Sequence, residues 1–340
     1  MLPCILSLSG PTLTPEERAF FRDADPAGYI LFGRNCRDRV QLRALTDELR
    51  ALAGRDRLPI LIDQEGGRVA RLKPPVWPDF PPQWRFAQLY ERAPISGMEA
   101  ARVNALAIAL TLAGAGINIA CLPLLDVRQA GAHDVIGDRA LGSDPLQVAA
   151  LGRMVLDGLA AGGVAGVIKH MPGHGRARAD SHRELPVVAA SAAELESDLA
   201  PFRRLASAPI GMTAHILYPA WDPERPATLS PVIISQVIRA SIGFNGLLLS
   251  DDIGMSALSG TLEQRANGAL TAGCDLVLHC SGALGESRAV ASNLPQITQA
   301  ARDRLDEATP SPPPAPADNV AALLHARDAL LAAADPAAPD

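Results

Sequence analysis

Eight short apolar runs, separated by segments whose apolar residues recur every three or four positions, organise this chain. The runs cover residues 4–9, 28–32, 60–63, 117–126, 165–170, 210–215, 246–251 and 275–280. Most are continuous rather than alternating, as parallel strands buried on both faces tend to be. Helical spacing occupies residues 14–23, 40–52, 98–113, 145–161, 192–206, 230–242 and 262–272. The first of these opens on Thr14-Pro15-Glu16-Glu17, a helix start signal. Eight strands alternating with helices predict a single-domain (β/α)8 barrel of the TIM type. A doubly wound open sheet would share the alternation, but no GxGxxG or Walker-type loop follows any strand.

The pattern changes after about residue 304. Thr309-Pro310-Ser311-Pro312-Pro313-Pro314-Ala315-Pro316 reads as a stiff, extended linker. Residues 319–333 read as an Ala/Leu-rich amphipathic helix docked on the barrel exterior, and residues 335–340 as a frayed end. The expected division is therefore a catalytic barrel at 1–303, a linker at 304–318, and a helix with its tail at 319–340.

Composition narrows the classes of partner. The chain is 48% hydrophobic and 20% charged, hence globular, and its net charge of -6 speaks against a basic nucleic-acid face. Aromatics at 4% offer no broad stacking platform for a polymer. Five cysteines form no CxxC pair, and an odd number suits reduced thiols in a cytosol. Residues 1–10 lack a basic start and a long apolar run, so they read as a first strand rather than a signal peptide. No run reaches the roughly 18 to 20 apolar residues that span a bilayer. A soluble, cytoplasmic, monomeric protein with no membrane partner is expected.

The candidate chemistry lies where strands stop. Strand ends supply Asp63, Asp126, Lys169 with His170, His215, Asp251 with Asp252, and His279. Any one could cap a helix, but a barrel would bring all of them to one pocket. Lys169-His170-Met171-Pro172-Gly173-His174-Gly175, followed by Asp180-Ser181-His182, adds a polar loop around a Pro-Gly turn. A zinc hydrolase would want HxH at the first strand end or HExxH on a helix, and neither is present. A serine nucleophile would want a GxSxG elbow, which Leu248-Leu249-Ser250-Asp251-Asp252 is not. Glycoside cleavage needs a nucleophilic carboxylate and a proton donor on either side of the bond. Asp251 suits the first role. His182, poised by Asp180, suits the second, with an ordinary pKa of about 6.5. Strand alternation turns Asp252 to the opposite face, toward capping or a lysine.

These residues carry a family resemblance. The segment from Lys169 to His182 resembles the KHFPGHGxxxxDSH signature of glycoside hydrolase family 3 β-N-acetylglucosaminidases. Asp63-Gln64-Glu65-Gly66-Gly67-Arg68-Val69 resembles that group's DQEGGRV, and residues 246–255 its GxxxSDDLxM. Ile136-Gly137-Asp138-Arg139 and Met212-Thr213-Ala214-His215 look like further blocks. From Leu31 to Asp275 the blocks lie in family order, covering nearly the whole barrel, and the match is closest to the short, cytosolic, single-domain type of Gram-negative bacteria. Met171 replaces an aromatic and Ile253 a leucine, both apolar exchanges that touch loop packing and not the chemistry.

The resemblance implies an exo-acting, retaining hydrolase that removes terminal β-linked N-acetylglucosamine without metal or organic cofactor. It implies Asp251 as nucleophile, His182 as general acid/base with Asp180 as its partner, and Asp63, Arg71, Arg139, Lys169 and His170 as the groups that hold the sugar. The implied substrate is a cell-wall fragment, N-acetylglucosamine on 1,6-anhydro-N-acetylmuramic acid and its peptides. A phosphorylase, a β-glucosidase or β-xylosidase of the same family, and a catalytically silent sugar-binding barrel are the alternatives. Arg139 could instead pair with Asp138 or Asp144, and Glu65 brace the Gly66-Gly67 turn. His174, His215 and Asp126 stand between scaffolding and direct contact, and His133, His279 and His325 read as structural.

Overall fold

The computed structural model describes residues 1–181, 183–311 and 320–333. Eight parallel strands close into a barrel: Leu2–Leu6, Pro26–Leu31, Ile60–Ile62, Ile119–Ala120, Ala165–Met171, Ile210–Thr213, Leu247–Asp252 and Leu276–His279. Each pairs in parallel with its barrel neighbours in chain order, and the eighth closes on the first through Cys4 opposite Val277 and Leu6 opposite His279. All eight predicted runs are therefore barrel strands. The fourth is much shorter than the expected 117–126. Regular pairing stops before Pro123, which has no N–H to give, and resumes only as a single bridge from Leu124 to Lys169.

The helix starts follow from local chemistry. Thr14 accepts the Glu17 amide at 3.1 Å while the Glu17 carboxylate takes the Thr14 amide at 2.8 Å, which fastens the first turn of Pro15–Ala24. Asp38 and Asp144 cap Arg39–Ala53 and Pro145–Ala161 in the same way through a single side chain. Helices at Trp84–Arg92, Leu284–Ala291 and Gln299–Ala308 lie where no helical spacing was read.

Helix Pro94–Gly114 is 21 residues long and apolar enough to cross a membrane by length and composition, contrary to the expectation that no segment is. Its apolar residues run all the way round because it is packed among Trp84–Arg92, Pro145–Ala161 and the C-terminal helix Val320–Ala332.

The barrel interior is filled by side chains such as Ile5, Ile30, Leu61, Val167, Met212 and Leu249. Ile297, Ala301, Leu305 and Ala308 belong to the same apolar cluster. Helix Gln299–Ala308 therefore plugs the mouth where the strands begin, and Arg57 and Asn118 hold the chain beyond it by the carbonyls of Thr309 and Pro310. The linker expected from residue 304 is thus corrected: residues 304–308 are helical because Leu305 and Ala308 have a core to enter. Most of the rest of that linker lies outside the described residues.

Candidate active site

With one mouth plugged, the other opens on a cavity of about 170 Å³ at the C-terminal strand ends, lined among others by Asp63, Arg71, Arg139, Lys169, His170 and Asp251. That is smaller than the roughly 300–1,000 Å³ of drug-sized pockets, and fits one small ring.

Its first wall is an ion cluster. Strand Ile60–Ile62 delivers Asp63, and the hairpin formed by Gln64–Gly66 and Val69–Ala70 turns Glu65 back over the barrel. Gly66 makes that turn at φ +101°, where a Cβ would lie 2.2 Å from the Pro81 carbonyl oxygen. The Gln64 carboxamide oxygen accepts the amides of Arg71 and Leu72, both at 2.9 Å, and so sets Arg71 beside the cavity. Arg71 then donates to Asp63 at 2.8 Å and lies 4.9 Å over the Phe32 ring. Lys169, in the fifth strand, reaches Asp63 at 3.2 Å and Glu65 at 2.8 Å. Arg139 grips Glu65 with Nε at 2.8 Å and Nη2 at 2.9 Å. Its partner is neither Asp138, which pairs with Arg68, nor Asp144, which caps a helix.

Burial by itself would raise the carboxyls of Asp63 and Glu65. Lys169 and Arg71 outweigh it at Asp63, and Arg139 and Lys169 at Glu65, so both are held below the carboxylate range. The same carboxylates overcome the burial of Lys169 and keep it protonated. Three cations and two anions thus stay charged with little water, leaving firmly oriented donors and acceptors at the rim.

A second wall is built on Asp126, fully buried beyond the fourth strand. One oxygen accepts the amides of His170 at 3.1 Å and His174 at 2.7 Å, and the other meets His170 Nδ1 at 2.8 Å. That leaves His170 Nε2 as the ring's other nitrogen. His174 is pushed down to about 4 by burial and by His170, so it is neutral at pH 7. Its Nδ1 has no hydrogen-bond partner among the described residues, and its Nε2 lies 3.4 Å from Ser181 Oγ. Gly175 passes so close to Val127 that a Cβ would sit 1.8 Å from the Val127 carbonyl oxygen.

The floor carries Asp251 at the end of the seventh strand, accepting the Asp252 amide at 2.8 Å. Burial would raise its carboxyl, but His170, His215, the Asp252 amide and Lys169 together hold it low. His215 is itself kept neutral by burial. It bridges Thr228 Oγ1 at 2.7 Å to the Asp252 carbonyl at 2.9 Å and so fixes the end of the seventh strand. Asp252 also borders the cavity, where its Oδ1 accepts the amides of Gly254 at 2.9 Å and Cys280 at 3.1 Å and lies 3.7 Å from His279 Nδ1. This is capping, and among the described residues no lysine pairs with it. His279 is fully buried beside Ser281.

The barrel thus brings together Asp63, Arg71, Arg139, Lys169, His170 and Asp251. Asp180 lies on the loop after Gly175, its carbonyl accepting the amides of Arg183 and Glu184, and buried Ser181 faces the cavity. His182 lies outside the described residues. Two features went unread in the sequence: Glu65 as the hub of the ion cluster, and Phe32 as the ring beneath Arg71. The pairing of Glu65 with two cations could not be anticipated from a turn motif, since all three come from distant segments.

The model of the glycosyl hydrolase family 3 N-terminal domain matches residues 7–308. A β-hexosaminidase of Alkalilimnicola ehrlichii is 42% identical over 284 residues, covering 82% of this chain and 80% of that one. One of Aromatoleum aromaticum is 40% identical over 287 residues, covering 82% and 79%. Among solved structures, NagZ from Neisseria gonorrhoeae in complex with N-trifluoroacetyl-D-glucosamine superposes with a TM-score of 0.87 at 32% identity, covering 98% of both chains.

Proposed function

We propose, from the premise that the chain belongs to glycosyl hydrolase family 3, that it is a β-N-acetylhexosaminidase that removes single terminal N-acetylglucosamine residues by a two-step retaining reaction. The observation that carries this reading is an Asp251 carboxylate held ionised at the floor of a one-sugar cavity whose wall is the Asp63–Arg71–Lys169–Glu65–Arg139 cluster. The β-hexosaminidase relatives support the same reading.

In the first step an Asp251 oxygen bonds to the anomeric carbon as the bond to the leaving oxygen breaks, and His182 gives that oxygen its proton. The positive charge that develops on the sugar is met by the carboxylate below it. In the second step His182 takes a proton from water, whose oxygen attacks the same carbon and releases Asp251. A histidine suits both directions near neutral pH, with Asp180 favouring its protonated form. Asp63, Arg71, Arg139, Lys169 and His170 hold the sugar's polar groups, and the reaction draws on no metal or organic cofactor. The substrates are peptidoglycan fragments, N-acetylglucosamine on 1,6-anhydro-N-acetylmuramic acid and its peptides, met in cell-wall recycling. A cytoplasmic, monomeric enzyme suits them, and the free state of all five cysteines suits that compartment.

The test has two arms. A slow 5-fluoro N-acetylglucosaminyl fluoride should leave a label on Asp251 in peptide mass mapping; label on Asp252, or turnover with no label, would overturn the nucleophile. The ratio of kcat/KM for an aryl N-acetylglucosaminide over the aryl glucoside should be large, because a polar site left without its amide partner loses hydrogen bonds. A ratio near one would favour a β-glucosidase, and a rate that depends on added phosphate would favour a phosphorylase.

A further inference from the structure

The C-terminal helix Val320–Ala332 carries one charged side chain on its buried side. Arg327 is 6% exposed, among Leu residues that pack on the barrel's outer helices. Burying a guanidinium is costly unless its donors are placed, and an apolar residue of similar size would serve docking as well. Its donors are placed with some specificity. Nη1 donates to the Asp79 carbonyl at 3.1 Å and to the buried Asn104 carboxamide oxygen at 3.2 Å, and the charge lies 6.0 Å from the Phe80 ring. Asp328 takes the remaining side at 2.8 Å.

The segment thus held reaches the active site directly. The Phe80 carbonyl accepts the Gly67 amide at 2.7 Å. Pro81 and Pro82 lie against Gly66 and Gly67 so closely that neither glycine has room for a Cβ. Gln83, 1% exposed, donates its carboxamide N–H to the Glu65 carbonyl. Residues 79–83 are therefore the outer brace of the turn that presents Glu65 to Lys169 and Arg139. Three of these five residues meet the turn by backbone or ring contacts that move with the chain itself.

We infer that Arg327 is a positioning residue: through Asp79 and Phe80 it fixes the 79–83 brace, and through that brace the Glu65 hub of the sugar-holding cluster. The inference rests on the reading of that cluster as the sugar site, but one arm of its test does not. Four variants separate the possibilities. Arg327→Met keeps most of the bulk and loses every donor. Arg327→Lys keeps the charge but only one donor nitrogen, Leu331→Ala weakens helix docking by packing alone, and Asn104→Leu removes one acceptor from the opposite side.

In the intact protein, hydrogen exchange of the Gly67 amide should quicken at least ~10-fold in Arg327→Met and remain near wild type in Leu331→Ala. In the same variants, KM for an aryl N-acetylglucosaminide should rise about 3- to 10-fold in Arg327→Met, with kcat changed less. Arg327→Lys should recover part of that rise, and Leu331→Ala should lower Tm while leaving KM within about twofold. Should Arg327→Met not fold, Arg327→Lys carries the test with smaller rises in the same direction, whereas Asn104→Leu, which leaves the Asp79 and Phe80 contacts in place, should lower Tm with Gly67 exchange near wild type. A Tm loss with unchanged Gly67 exchange and unchanged KM would overturn the inference and leave Arg327 a docking residue. If the wild-type protein did not cleave the glycoside at all, the functional reading would fail, while the exchange arm would still decide whether Arg327 braces the turn.

Discussion

Glu65 and Lys169 meet at 2.8 Å with side chains only 1% and 3% exposed, and Arg139 closes on the same carboxylate from the other side. One anion so buried between two cations is the point on which the site's geometry hangs. Glu65→Gln would leave Lys169 and Arg139 short of a counter-charge in a region with little water. Breaking a buried pair by removing one partner costs about 3–5 kcal/mol. Urea unfolding should show a loss of that order, and KM should rise because Arg139 and Lys169 are no longer held. A loss below about 1 kcal/mol would mean that water already shares the cluster.

His174 makes stability depend on pH in a definite window. Burial and His170 push its folded pKa down to about 4, against about 6.5 in the unfolded chain. The unfolded chain therefore binds the proton first, and stability is complete above pH 6.5 and declines as pH falls toward 4. The loss across that window is on the order of 3 kcal/mol. His174→Gln should reduce the slope of urea midpoint against pH between 6.5 and 4, and His215, also kept neutral by burial, accounts for the slope that remains. The steeper fall below about pH 4 should remain, since Asp63, Glu65 and Asp126 are held low in the folded state and must be protonated there. A variant whose midpoint still falls between 6.5 and 4 as in wild type would place the titration elsewhere.

His182 and Asp180 predict a dependence on the leaving group. Proton donation contributes about 10²- to 10⁴-fold. His182→Ala should therefore slow substrates with poor leaving groups by that order and activated aryl glycosides much less at the bond-breaking step. Asp180→Asn should move the pH profile of kcat/KM, because the imidazolium loses a carboxylate that favours it. Full activity of both variants on a disaccharide would assign the acid role to another group.

The sequence by itself determined the barrel and the list of polar strand ends. Short continuous apolar runs such as residues 165–170 and 246–251, alternating with helical spacing, read as parallel strands buried on both faces, and in a barrel their last residues share one rim. It also marked where the first helix begins, through Thr14. What it did not carry was partnership. Arg139 had two nearby carboxylates, Asp138 and Asp144, as candidates along the chain, and the structure chose Glu65, 74 residues away. Residues 304–308, the second half of helix Gln299–Ala308, read as the start of a linker, and only the open end of the barrel gives Leu305 and Ala308 something to fill. Nothing in the sequence singles out Arg327, which Asp79, Phe80 and Asn104 surround only in the fold. Local propensity and periodicity act over a few residues along the chain, so they fix elements; charge pairing and cavity filling act over a few ångströms in space, so they are settled only when the barrel has closed.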